Sequence, residues 1–380
     1  MKILVVSDVL GEENNGTTIA AMNLIRFLKK QGHEVRVLCP DQDKRGQDGY
    51  YIVGTLSLGK VLDKYVKKVG VTLAKPDKKV IEDALMGVDH VHTILPFALC
   101  KATMKMAKQR GLPVTAGFHC QAENFTSYIK LNRLKLLNHL VYKNMYSTFY
   151  KYVDAIHYPT KFIKDTFESH IKKQTNGYII SNGVNTCIIK KQIEKPDELK
   201  DKFVILNIGR YAREKSQDTL IKAVHYSKYK DKIQLIFAGQ GTKEASYKKL
   251  AKRLNINPIF KFFSRDEIVN VLNYSDMYVH PADMELEGIA CLEAIACGKL
   301  TIVSSSKLSA TRYFAVDEKC IFKKRNPKDL ARVIDYFIEH PEEKKLYEQK
   351  YLNESTIYNQ DVCMQKMGDM IKGACNLEKR

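Results

Sequence analysis

Short runs rich in Val, Ile and Leu alternate with stretches of helical spacing along nearly the whole chain. Apolar runs separated each time by a helix are what parallel sheets with crossover helices require. Residues 3–7, 35–39, 88–94, 114–118, 155–158 and 178–180 read as strands of one sheet. Residues 204–208, 234–238, 259–263, 277–280 and 300–303 read as strands of a second. Between the two sets lies the charged run KKQIEKPDELKDK, without a strand pattern. The expected division is therefore a first domain at 1–184, a linker at 185–202, a second domain at 203–341, and a polar helical end at 342–380. A chain of 380 residues is long enough for two cores of this α/β kind.

Chemistry concentrates where strands run into helices. The strand at 277–280 leads into ELEGIACLE, which sets Glu285 and Glu293 eight positions apart around Gly288, with Ile289 and Ala290 opening a helix. A helix start offers free N–H groups and a positive dipole end, suited to a phosphate. Carboxylates accept the paired hydroxyls of sugars and ribose. The bland reading of the same residues is a solvated acidic helix start. Upstream, the strand at 203–208 passes through Gly209 into RYAREK, so Arg210 and Lys215 sit in a strand-to-helix loop. Loops of this kind bind phosphates in α/β folds, with Arg as a fork and Lys as a point charge. Alone, such a loop is most often a solvated turn; paired with the acidic motif it reads as a clamp for the diphosphate of a nucleotide sugar.

The first half carries a weaker set. The segment NNGTT places Gly16 at the first strand-to-helix turn, where a glycine lets the backbone approach a ligand, or simply begins a helix. It lacks the G-x-G-x-x-G spacing of dinucleotide folds. His119 ends the strand at 114–118, and Glu123 and Asn124 follow within a turn, in reach of acceptor hydroxyls. A lone histidine is more often structural than functional.

The formal charge of +19 asks for an acidic partner: nucleic acid, an anionic membrane, or a phosphorylated substrate. Residues 127–153 hold aromatic and aliphatic side chains at helical spacing with Lys130, Arg133, Lys135, Lys143 and Lys151 and no acid. Such a helix either lies in an anionic membrane interface or is a core helix with a basic outer face. Residues 60–79 add seven lysines against Asp63 and Asp77, and the two neighbouring segments together favour a membrane surface. The spacing of aromatics and glycines lacks RNA-binding signatures, which argues against nucleic acid. No apolar run approaches the roughly 20 residues of a membrane span, and the opening residues read as a strand rather than a signal peptide. Nine scattered cysteines without a C-x-x-C pair indicate neither a disulfide framework nor a metal site.

Taken with KILVVSD, AIHYPTKFIKDTF and IISNGVN, the segments GRYAREKSQDTLIKA, IQLIFAGQG, YSDMYVHPA and ELEGIACLEAIACG resemble the retaining glycosyltransferases of the GT-B fold, family 4, over nearly the whole chain. GFHCQAENFTSYI and EGIACLEAI are most similar to bacterial enzymes that glucosylate diacylglycerol or related lipids. The resemblance implies two Rossmann-like domains facing a cleft, with the last residues crossing back to the first domain. It implies a nucleotide-sugar donor, UDP-glucose, as substrate, no cofactor, and hexose transfer to a lipid acceptor. Glu293 is then expected on the ribose, Glu285 on the donor sugar, and Arg210 and Lys215 on the diphosphate together with the N–H groups after Gly288. Gly16 is expected near the diphosphate and acceptor, and His119 on the donor sugar. The protein is expected in the cytoplasm, peripherally bound to the inner face of the cell membrane; the oligomeric state is left open. Many relatives carry Phe where this chain has Glu287, which leaves sugar identity open. A soluble or polysaccharide acceptor, a nucleic-acid-binding protein, and a scaffold without transfer activity are the other readings.

Overall fold

Ile3, Leu4, Val5 and Val6 are fully buried, as a strand covered on both faces must be. In this computed structural model, which describes residues 1–10, 16–56, 73–128, 135–185 and 187–377, that strand lies inside a parallel sheet, with a neighbour on each side. The chain divides into two units, Met1–Asn182 with Asp361–Arg380, and Gly183–Gln360.

The first unit contains β1 (Lys2–Val6), β2 (Glu34–Cys39), β3 (Tyr50–Ile52), β4 (His90–Thr93), β5 (Val114–Gly117), β6 (Ala155–Tyr158) and β7 (Gly177–Ile179). They are ordered β3-β2-β1-β4-β5-β6-β7 with every pairing parallel. Its helices are α1 (Gly16–Lys30), α2 (Lys78–Ala84), α3 (Ala98–Gln109), α4 (Ala122–Tyr128), α5 (Lys135–Thr148) and α6 (Lys161–Ile171). In α1 the buried Ala20, Ala21, Leu24, Ile25 and Leu28 recur every three to four positions, the stripe a helix lays on a sheet. Asp8, just past β1, accepts the N–H groups of Leu99 at 2.7 Å and Cys100 at 3.1 Å and so caps α3 from outside.

The second unit contains β8 (Phe203–Ile208), β9 (Ile233–Ala238), β10 (Ile259–Lys261), β11 (Met277–His280), β12 (Met284–Glu285), β13 (Thr301–Ser304), β14 (Leu308–Ser309) and β15 (Ile321–Phe322). Its main sheet runs β10-β9-β8-β11-β13-β15, and β12 pairs with β14 separately. Its helices are α7 (Gln217–Tyr226), α8 (Glu244–Arg253), α9 (Arg265–Tyr274), α10 (Ile289–Ala296), α11 (Pro327–Glu339) and α12 (Pro341–Glu354). The last helix, α13 (Gln360–Leu377), belongs to the first unit. Strand order reverses at β1/β4 in one sheet and at β8/β11 in the other. Beyond the carboxyl ends of such strands doubly wound sheets bind ligands.

Three sequence expectations change. Within the expected linker, Ile188 and Leu199 are buried in the second unit's core, and Lys195 bonds Asp276 at 2.5 Å. The return to the first unit comes at 361, later than 342, because α12 buries Tyr347 and Tyr351 in the second core. The end of the chain is polar on one side only: α13 buries Cys363, Met364, Met367, Met370, Ile371 and Ala374. The short β3, β12, β14 and β15 were not legible as strands, since two or three residues carry too little pattern.

Candidate functional site

The densest set of convergent polar groups lies at the β8/β11 switch of the second unit. Tyr278 and His280 are two apart on β11, so both side chains leave the same face. The Tyr278 hydroxyl is 2.9 Å from His280 Nδ1, and His280 Nε2 is 3.0 Å from Glu285 Oε1. A carboxylate only accepts, so Nε2 carries the proton and Nδ1 accepts from the tyrosine. Lys215 Nζ donates to the same Glu285 oxygen. Burial alone would push the Glu285 carboxyl up; the Lys215 ammonium and the His280 hydrogen bond outweigh it and hold the group at about 2. Both bonds fall on Oε1, and Oε2 has no partner among the described residues. An ionised carboxylate fixed from one side and open on the other is suited to accept a ligand hydroxyl.

Gly288 follows in the left-handed region, with φ of 89°, as the residue before α10. A Cβ there would lie 2.6 Å from Thr311 Cγ2 and 3.7 Å from His280 Nε2. Only glycine fits that turn, and the turn is what brings the first N–H groups of α10, at Ile289 and Ala290, beside the Glu285 cluster. The loop after β8 is braced by its neighbour: a Cβ at Gly239 would meet the Gly209 carbonyl oxygen at 2.2 Å. Tyr211 N–H donates to Gln240 O at 2.9 Å, and Lys243 N–H to Tyr211 O at 3.1 Å. Arg210 lies half-exposed in that loop with its guanidinium 3.1 Å from Glu214 Oε1. Both expected diphosphate cations therefore rest on carboxylates.

Glu293 is buried and receives a 2.5 Å hydrogen bond from Arg265 at the start of α9. Burial raises its pKa and the guanidinium opposes that rise. The carboxylate expected on ribose hydroxyls is thus half of an ion pair whose arginine is partly exposed. Glu287 is also buried. Tyr278, His280 and Arg265 were not singled out from the sequence. The alternation of Tyr278 and His280 on one strand face was a usable signal; the Arg265–Glu293 pairing, 28 positions apart, left none.

In the first unit, Gly16 is the first described residue of α1, past the carboxyl end of β1. His119, just after β5, is half-buried, and its ring meets His157 edge to face at a centroid distance of 5.3 Å. Burial, then His157, holds its pKa at about 3, so the imidazole is neutral. A Cβ on Gly117 would lie 2.5 Å from His119 Nε2, so that glycine makes room for the ring. Glu123 is buried and accepts the Tyr142 hydroxyl at 2.7 Å, a bond between α4 and α5. Asn124 is half-buried on α4. Lys135 is exposed at the start of α5, whereas Lys130 and Arg133 lie outside the described residues, as do residues 57–72 of the other basic segment. The long helix expected over 127–153 ends at Thr148 and gives way to a short turn at Tyr150–Tyr152.

Known proteins place the chain in a family. Residues 14–187 match the model "Glycosyltransferase Family 4", and residues 188–352 match "Glycosyl transferases group 1". Alpha-monoglucosyldiacylglycerol synthase of Streptococcus pneumoniae is 22% identical over 78% of this chain and 70% of its own. Sucrose-phosphate synthase of Thermosynechococcus elongatus superposes with a TM-score of 0.77 at 16% identity, covering 98% of both chains. HepE of Anabaena, solved with UDP and glucose, gives 0.74 at 14% identity, covering 98% of this chain and all of its own. With both halves matched in order and two parallel-sheet units that superpose on such enzymes, the chain belongs to the family 4 glycosyltransferases of the GT-B fold.

Proposed function

We propose that the protein transfers a hexose, with retention of configuration, from a nucleotide sugar to a membrane lipid, with UDP-glucose as donor and diacylglycerol or a related lipid as acceptor. The observation that carries the donor half is Glu285, ionised, held on Oε1 by Lys215 and His280, and open on Oε2 beside the first turn of α10. In this reading Oε2 accepts a sugar hydroxyl, and the helix start receives the diphosphate. On donor binding Arg210 and Lys215 move from Glu214 and Glu285 to the diphosphate, so that they already face the negative charge that grows as the bond to the leaving phosphate breaks. The Arg265–Glu293 pair stands where the second carboxylate of the motif meets the ribose. In the first unit, the neutral His119 and the backbone at Gly16 are the groups assigned to the donor sugar and diphosphate. HepE, with UDP and glucose bound on the same fold, supports the choice of donor.

The acceptor half rests on α5 and on the named relative. Leu136 and Leu140 are 72% and 54% exposed, one turn apart, and Lys135 and Lys143 flank them. Tyr142 and Met145 face inward. An apolar stripe edged with lysines suits an anionic bilayer surface, and the relative's name is that of a lipid glucosyltransferase. No helix among the described residues is long and apolar enough to cross a membrane, so contact through such a face is the form of membrane binding proposed.

The test is transfer from a panel of nucleotide sugars to diacylglycerol in phosphatidylglycerol vesicles, with Glu285→Gln beside the wild type. UDP-glucose should be the best donor. The variant should lose about a hundredfold in turnover while its donor affinity changes by a few-fold, because a contact that tightens as the anomeric carbon becomes cationic acts on the transition state. Equal turnover in the variant would remove Glu285 from the reaction, and transfer only to soluble acceptors would remove the lipid.

A further inference from the structure

A second concentration of positive charge begins beside the donor loop, at Arg213 and Ser216, and shares no residue with the donor cluster. A groove of about 890 Å³ runs between α7 and α8, closed at one end by Arg325 and Pro327 at the start of α11. Its walls carry Arg213, Lys243, Lys249, Lys252 and Arg253, none of which forms an ion pair among the described residues. Lys222 and Arg325 also line it, paired with Asp218 and Asp283. Asp218 is the one acid in the lining.

We propose that this groove binds a soluble, multiply phosphorylated small molecule. Like charges held around one concavity repel each other, and an anion relieves several of these repulsions at once. The volume is that of a small-ligand site. Concavity selects the class: a bilayer presents a plane, which meets protruding lysines but not charges on facing walls of a recess. Ser216 and Ser246 add hydroxyl donors along the same walls. The groove also touches the loop that serves the donor cluster. Tyr247 in its wall donates to Ala212 O at 3.0 Å and lies 3.1 Å from Gln217 Oε1, and Gln217 Nε2 holds Arg210 O at 3.0 Å.

The experiment is calorimetric titration of the full chain with inorganic tripolyphosphate at about 0.1 M salt, where long-range attraction is largely screened. It is done in an Arg210→Ala/Lys215→Ala background, which removes the two cations expected on the donor diphosphate. One saturable site should remain, and it should weaken about tenfold or more when Lys249→Gln, Lys252→Gln and Arg253→Gln are added. Absence of binding in the background, or binding unchanged by the three substitutions, overturns the site. In otherwise wild-type protein the three substitutions should leave flotation with phosphatidylglycerol vesicles unchanged; loss of flotation would make the groove a lipid contact and overturn the assigned ligand. Donor transfer does not enter either readout, so the groove and the proposed reaction fail separately.

Discussion

Lowering the pH from about 7.5 to about 5.5 should destabilise the first unit by at least about 4 kcal/mol through His90, His92 and His157, with His119, also held at about 3, acting in the same direction. His90, His92 and His157 are fully buried on β4 and β6. Burial drives His90 to about 3 and His157 to about 4, and drives His92 well below 6.5. His90 Nε2 and His92 Nδ1 share the Thr115 hydroxyl at 2.8 and 2.9 Å, and His157 Nε2 gives its proton to Ile180 O at 2.6 Å. The charge acting on His90 is Lys108, itself positive. A depressed pKa means that the unfolded chain takes the proton first, so the stabilisation is whole above about 6.5 and is lost as pH falls towards the folded value. At one unit below 6.5 each histidine costs about 1.4 kcal/mol, and three cost about 4, a large share of an ordinary stability of about 5 to 15. Glu285, held at about 2 from 4.5, acts in the same direction but only below about 4.5, outside this window. Urea unfolding followed by far-ultraviolet circular dichroism would measure the loss, and hydrogen exchange of β4 and β6 would assign it to the first unit. His92 Nε2 has no partner among the described residues, and the Thr115 hydroxyl keeps His90 when the His92 Nδ1 bond is lost, so His92→Leu should cost no more than about 1 kcal/mol at neutral pH and remove about 1.4 kcal/mol of the acid loss. A change below about 1 kcal/mol in the wild type would show that these imidazoles are not excluded from protons as their burial requires.

Gly288→Ala should cost about 2 kcal/mol in thermal unfolding, from the left-handed backbone and the collision with Thr311, and Thr311→Ser in the same chain should recover the steric share. Tyr278→Phe removes the hydroxyl that braces the His280 ring at Nδ1; turnover should fall about tenfold with little change in donor KM, and an unchanged turnover would detach the tyrosine from the site. Lys135→Glu with Lys143→Glu should release the protein from phosphatidylglycerol vesicles at low salt, by about 1 kcal/mol for each charge removed, without altering donor affinity. Retention equal to wild type in flotation assays would make α5 an ordinary surface helix.

The two sheets were legible because Val, Ile and Leu runs report burial on both faces directly, as at Ile3–Val6 and at Val204–Leu206, all of them buried. That Glu285 and Lys215 come together was legible as well, since both sit past strand ends of one sheet, and the two form an ion pair. What the sequence withheld were other pairings across distance. Arg265 reaches Glu293 over 28 positions and Tyr142 takes Glu123 over 19. Those partners decide whether a carboxylate faces a ligand or a neighbouring helix. The terminal helix looked polar because its Met and Cys residues are a weak hydrophobic signal, although they form its buried face.

The most direct measurement is a crystal structure of the protein with UDP-glucose. The diphosphate should lie between the first turn of α10 and the loop carrying Arg210 and Lys215, with the Lys215 ammonium moved off Glu285 Oε1. A glucose hydroxyl should donate to Glu285 Oε2 within about 3 Å. A nucleotide sugar bound elsewhere, or bound here with Glu285 still turned away from the sugar, would contradict the donor site described above.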